Sequence, residues 1–102
     1  MQRMDPSAGA AHIVLYGAPG CHLCDQARDV LEHLLAERRA AGRSGAFIED
    51  VDITADQALH LTFMETIPVV EVGDSRLELA TSPARVRAFL DRELDGIEAD
   101  GP

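Results

Sequence analysis

Lysine and tryptophan are both absent from this chain of 102 residues, and aromatic residues make up only 4% of it. Without lysine there is no Schiff-base chemistry and no phosphate-binding loop ending in Gly-Lys. With so few rings the core has to be aliphatic, which the 46% hydrophobic content can supply. Positive charge is scarce: nine arginines face 18 acidic residues, for a formal net charge of −9. Such a surface repels phosphate backbones and anionic lipid, so neither nucleic acid nor membrane is an expected partner. No apolar run exceeds Ile13-Val14-Leu15-Tyr16, far short of a membrane span. The first residues carry no apolar stretch of the kind a secretory signal needs. Two cysteines are too few for the disulfide scaffold of a small secreted module. These exclusions lead to the expectation of one cytoplasmic domain and a monomer.

The elements that are present follow a readable order. Residues 1–11 contain Pro6, Ser7 and Gly9 and are expected to be a disordered lead-in; residues 12–95 form the domain; residues 96–102 are expected to be a frayed acidic tail. His12 to Tyr16 is continuously apolar, as in a central strand covered on both faces. Ala27, Val30, Leu31, Leu34 and Leu35 recur at helical spacing from Asp25 to about Ala41, with Arg38, Arg39 and Arg43 suiting the negative end of the helix and Gly42 lying beyond its cap. Ala46 to Ile53 alternates, with Phe47, Val51 and Ile53 on one face, and reads as a strand nearer an edge. Thr54 and Gln57 form a capping-box pattern that opens a short helix with Leu59 and Phe63. Val69–Val72, Gly73-Asp74-Ser75 and Arg76–Leu79 read as a β-hairpin. Ser82 and Pro83 start a last helix striped by Val86, Phe89, Leu90 and Leu94. The order is β-α-β-α-β-β-α, whose first two strands must be parallel and right-handed in crossover.

Cys21 and Cys24 sit between the end of the first strand and the start of the first helix. At a helix N-terminus a sulfur meets unpaired N–H groups and the positive end of the dipole, and both stabilise a thiolate. Such settings lower a thiol pKa from about 8.5 to roughly 3.5–7.5. Cys24, one turn deeper, can close a disulfide onto Cys21. The spacing therefore suggests that Cys21 attacks a substrate disulfide and Cys24 resolves the mixed disulfide. His22, next to Cys21, can add positive charge that lowers the thiol pKa, against the opposing charge of Asp25 and Asp29.

The run Leu15-Tyr16-Gly17-Ala18-Pro19-Gly20-Cys21-His22-Leu23-Cys24, with Thr66-Ile67-Pro68 downstream, resembles the thioredoxin superfamily. Within it, the chain is most similar to glutaredoxin-like proteins with a Pro-Gly-Cys-His-Leu-Cys signature, from His12 to about Leu94. The resemblance implies an α/β, thioredoxin-like (glutaredoxin-type) three-layer fold with a four-stranded mixed sheet flanked by helices. It implies a thiol–disulfide oxidoreductase with Cys21 as nucleophile, Cys24 as resolving cysteine and Pro68 after a cis peptide bond beside the disulfide. Thr66, the Ile67 backbone, His22 and Gly20 are the implied substrate-binding positions. No bound cofactor and no metal are implied. Glutathione or another low-molecular-weight thiol is a possible co-substrate, alongside a disulfide-bearing protein or small thiol and an electron donor that the sequence does not identify. Two features of glutathione-using relatives are missing: Ala18 stands where they carry Lys, and Ala80-Thr81-Ser82-Pro83 replaces their Gly-Gly step. The alternatives are a metal or iron–sulfur module, for which no second cysteine pair exists, and a non-catalytic adaptor on the same scaffold.

Overall fold

Continuous apolarity from Ile13 to Tyr16 produces the strand that organises the sheet, β1 (Ala11–Gly17). The structure is a computed structural model that describes residues 11–43 and 45–95. The expected lead-in, apart from Ala11, and the expected tail lie outside the described residues; Ala11 opens β1. After β1 come α1 (His22–Ala40), β2 (Ala46–Asp52), a 3₁₀ turn at Ile53–Ala55, α2 (Gln57–Phe63), β3 (Val69–Val72), β4 (Ser75–Leu77), α3 (Pro83–Leu90) and a π-helical turn at Asp91–Asp95. The sheet runs β2-β1-β3-β4; β1 and β2 are parallel, and the other neighbours are antiparallel. The element order and the mixed sheet are those expected from the sequence.

The main core lies on one face of the sheet. Ile13, Leu15, Val70 and Val72 meet Ala27, Leu31, Leu34 and Leu35 of α1 and Val86, Phe89, Leu90 and Leu94 of the C-terminal helical segment. Burying each such side chain contributes about 1.5–3 kcal/mol, so this face dominates stability. The opposite face holds a smaller cluster of Ile53, Phe63 and Val69, with Tyr16, Ala18, Leu59 and Ile67 packed on it. α2 is seven residues long, about 10 Å, and covers only part of that face. The expectation that β1 is covered on both faces is thus corrected: His12 is exposed, stacked on Phe47 at 4.8 Å between ring centroids and paired with Glu49 at 2.8 Å. In β2 the residues packed on the main core are Ala46 and Ile48, because the register sets Ile48 beside Ile13. Phe47 lies exposed on the other face.

Local chemistry sets the boundaries. At the end of α1, Gly42 has φ +73°, and the amides of Gly42 and Arg43 donate to the carbonyls of Arg39 and Arg38. This is a Schellman arrangement, which glycine closes without a Cβ penalty. The expected capping box at Thr54 does not form. The Thr54 hydroxyl donates to Asp52 at 2.6 Å, and the cap of α2 is Asp56, which accepts from the Leu59 amide at 3.1 Å. The hairpin turns at Gly73-Asp74 with positive φ only at the glycine, as a type II′ turn requires. β4 ends at Leu77, two residues short of expectation, and Leu79 turns the chain with φ +50°.

Candidate active site

Pro19-Gly20 makes the turn that delivers the cysteines. The Cys21 amide donates to the Ala18 carbonyl at 3.2 Å, and Gly20 has φ +77°. Proline then glycine at the two central positions suits a type II turn. Space around the Gly20 α-carbon is open, so the backbone conformation is what calls for glycine here. Cys21 is the N-cap of α1, with extended backbone, and its Sγ accepts from the Cys24 amide at 3.1 Å. The first turn of α1 therefore directs an N–H group at the half-buried sulfur, as the strand-to-helix placement requires. Cys24 is only 6% exposed and forms a disulfide with Cys21 across a Cα–Cα distance of 5.2 Å. His22 and Leu23, between the two cysteines, are exposed.

The proline loop comes to the same end of the sheet. The Ile67–Pro68 bond is cis, as the resemblance implies. Tyr16 pairs with Val69 in the β1–β3 register, so Pro68 immediately precedes the paired stretch of β3. Ala18 and Ile67 both pack on the Ile53–Phe63–Val69 cluster, which ties the cysteine loop to the proline loop. The amides of Thr66 and Ile67 donate to the Phe63 carbonyl at 2.9 and 3.1 Å. The Thr66 carbonyl accepts from Leu79, and that of Pro68 from Ala80, each at 2.8 Å. Among the described residues none donates to the Ile67 carbonyl.

Gly17 belongs to the site, although the sequence reading passed over it. A Cβ there would lie 3.1 Å from Cys24 Cβ and 3.2 Å from its Sγ. Its signal in the sequence is a glycine at the end of an otherwise apolar strand, four residues before Cys21. A cleft of about 180 Å³ opens beside Cys24, lined by residues that include Pro19, Asp25, Arg28, Asp50 and Asp52. Arg28 grips Asp50 through Nε (3.0 and 3.1 Å) and Nη2 (2.7 Å). The hydroxyl and amide of Thr54 hold the Asp52 carboxyl below the usual carboxylate range. Tyr16 stacks on Phe63 at 4.6 Å and donates to Glu71 at 2.8 Å; burial first, then Glu71, raises its phenol. The arrangement places a half-buried sulfur on one helix amide beside a buried partner sulfur, which suits two-electron exchange. No described helix is long and apolar enough to cross a membrane.

Comparison with known proteins agrees with this geometry. Residues 12–94 match the family described as Glutaredoxin-like domain (DUF836). A Northeast Structural Genomics target protein from X. campestris is 33% identical, with a TM-score of 0.60, over 78% of this chain and 95% of that one. A malarial protein is 14% identical (TM-score 0.60, 83% of this chain, 98% of that one). A mutant thioredoxin from Halobacterium salinarum is 16% identical (TM-score 0.58, 87% of this chain, 79% of that one). These last two share the thioredoxin-like fold. No curated protein matches the chain.

Proposed function

The chain belongs to the glutaredoxin-like domain family, and from that premise we propose that it is a thiol–disulfide oxidoreductase acting through Cys21 and Cys24. The observation that carries this reading is the half-buried Cys21 sulfur, which accepts the Cys24 amide at the N-cap of α1 and is bonded to a buried Cys24. In the reduced protein the Cys21 thiolate attacks one sulfur of a substrate disulfide. A bond forms between Cys21 and that sulfur, the substrate S–S bond breaks, and the other substrate sulfur leaves as a thiolate that takes a proton from water. Cys24 gives up its proton and attacks Cys21, which closes the intramolecular disulfide and frees the second substrate thiol. Two electrons have then passed to the substrate, and the protein is in the oxidised form described above. A low-molecular-weight thiol or a dithiol protein returns the two electrons. No resident cofactor is needed for this cycle, and a reducing cytoplasm suits it.

Pro68 has no N–H to compete for the sulfurs, and the Ile67 carbonyl beside it accepts from the client backbone. The test is trapping. Cys24→Ser is expected to accumulate a mixed disulfide on Cys21 when mixed with a disulfide peptide, seen as a discrete mass increase that dithiothreitol removes. Cys21→Ser is expected to lose exchange entirely. If the Cys24→Ser protein remains unmodified, the oxidoreductase reading is wrong.

A further inference from the structure

Leu79 adopts a conformation that favours glycine, with φ +50°, and its side chain is 49% exposed. A leucine there crowds its own Cβ against the following carbonyl and gains little from burial. Hydrogen bonds hold it in place. Its amide donates to Thr66 and its carbonyl accepts from Thr81 at 2.7 Å. The next residue, Ala80, donates to Pro68 and is 1% exposed in the main core. The loop is thus laced to the segment around the cis proline, and strained non-glycine residues of this kind concentrate at functional sites.

The topology places Leu79 in line with the reactive sulfur. β1 leads to Cys21, β3 beside it begins after Pro68, and β4 beside β3 runs into Leu79. Two strand spacings of about 4.8 Å separate that loop from the end of β1, the reach of about three extended residues. Leu23 adds a second exposed apolar side chain on the cysteine side. Of the exposed charges near them in sequence, Asp25, Asp29 and Glu78 are acidic, while Arg76 is paired with Glu71 at 3.0 Å and lies over the Phe63 ring. Donors for a small anion are few at the start of α3: Pro83 has no N–H, and the Arg85 amide is taken by Ser82 Oγ at 3.2 Å.

We propose that Leu79 is a specificity-determining residue of the exchange reaction, seating an apolar side chain that lies two or three residues from the reacting cysteine of a polypeptide client. The client is therefore a peptide segment, which the site prefers to glutathione disulfide. This inference rests on the oxidoreductase reading of Cys21 and Cys24.

The experiment compares three substrates: a disulfide-linked peptide with leucines flanking each cysteine, its counterpart with glycines there, and glutathione disulfide. The wild-type protein is expected to favour the leucine peptide over the glycine peptide by roughly tenfold in kcat/KM, with glutathione disulfide slower still. Leu79→Asn, which tolerates the positive φ, should remove most of that preference by raising KM for the leucine peptide well beyond any change with the glycine peptide. Leu79→Met should retain the preference. If Leu79→Asn slows both peptides equally, or neither, or if glutathione disulfide is the best substrate, the role assigned to Leu79 is overturned. Turnover of none of the three by the wild-type protein, together with failure to trap Cys21, would overturn the exchange reading itself.

Discussion

A hydrogen is all the side chain Gly17 has, and the packing of the cysteine pair depends on it. The Cβ of an alanine would come within 3.1–3.2 Å of Cys24, closer than ordinary van der Waals contact. The Cys24 Cβ contact is present in both forms, but reduction frees the sulfur to rotate away while the disulfide holds it in place, so the sulfur's share of the crowding falls on the oxidised form. Overpacking of this kind typically costs about 1–3 kcal/mol. Gly17→Ala is therefore expected to raise the reduction potential by about 30 mV, the equivalent of about 1.4 kcal/mol for two electrons. Equilibration against a dithiothreitol couple measures it, and an unchanged potential would show that the surroundings yield without cost. Both cysteines were legible in the sequence because their spacing and their place after a strand carry chemistry. Gly17 was not, because its importance comes from the side chain that packs against it.

Among the elements, α1 carries the site at one end and a buried cation at the other. Arg38, read in sequence as a complement to the helix dipole, is 3% exposed. It pairs with Asp91 at 3.2 Å and with Asp95, and Arg43 joins both carboxylates. The group ties the C-terminal turn of α1 to the π-helical turn that follows α3. Removing one member of a buried pair is costly, and the partial exposure of the two aspartates reduces that cost. Arg38→Met is expected to destabilise the protein by about 1–3 kcal/mol, while the exposed neighbour Arg39→Met stays within about 0.5 kcal/mol. Urea unfolding midpoints compare the two, and equal effects would contradict the assignment. Helical spacing of the apolar residues identified the helix but not this pairing, since the partners lie some fifty residues away.

For the whole molecule, the question is whether its net charge or its paired groups govern stability. A hydrogen bond from Arg87 holds the Glu37 carboxyl below its ordinary 4.5, and Thr54 holds Asp52 below 3.8. Depressed carboxyls stabilise the fold fully above those values and progressively less as pH falls through their folded ones. Tyr16 acts in the opposite direction: its phenol is raised above 10.0, so its contribution is complete below that pH and is lost as pH rises through the folded value. The expected profile of Tm is a plateau between about pH 5 and 9 with a fall on each side. Relief of the −9 charge would instead place the maximum near the isoelectric point of 4.6. A thermal scan across pH separates the two, and a maximum at that acid value would refute the paired-group account.

The sequence by itself determined the order of elements, the parallel first crossover, the position of the cysteine pair at a helix start and the proline that precedes β3. Each of these is written in local periodicity, turn chemistry or spacing, which act over a few residues. Tertiary structure alone decided that Val69, next to Pro68, pairs with Tyr16, that Arg38 is buried against Asp91 and Asp95, that Phe47 faces outward, and that Leu79 is held beside Thr66. Those outcomes depend on register between strands and on packing between distant segments, where one residue of shift exchanges the buried face for the exposed one.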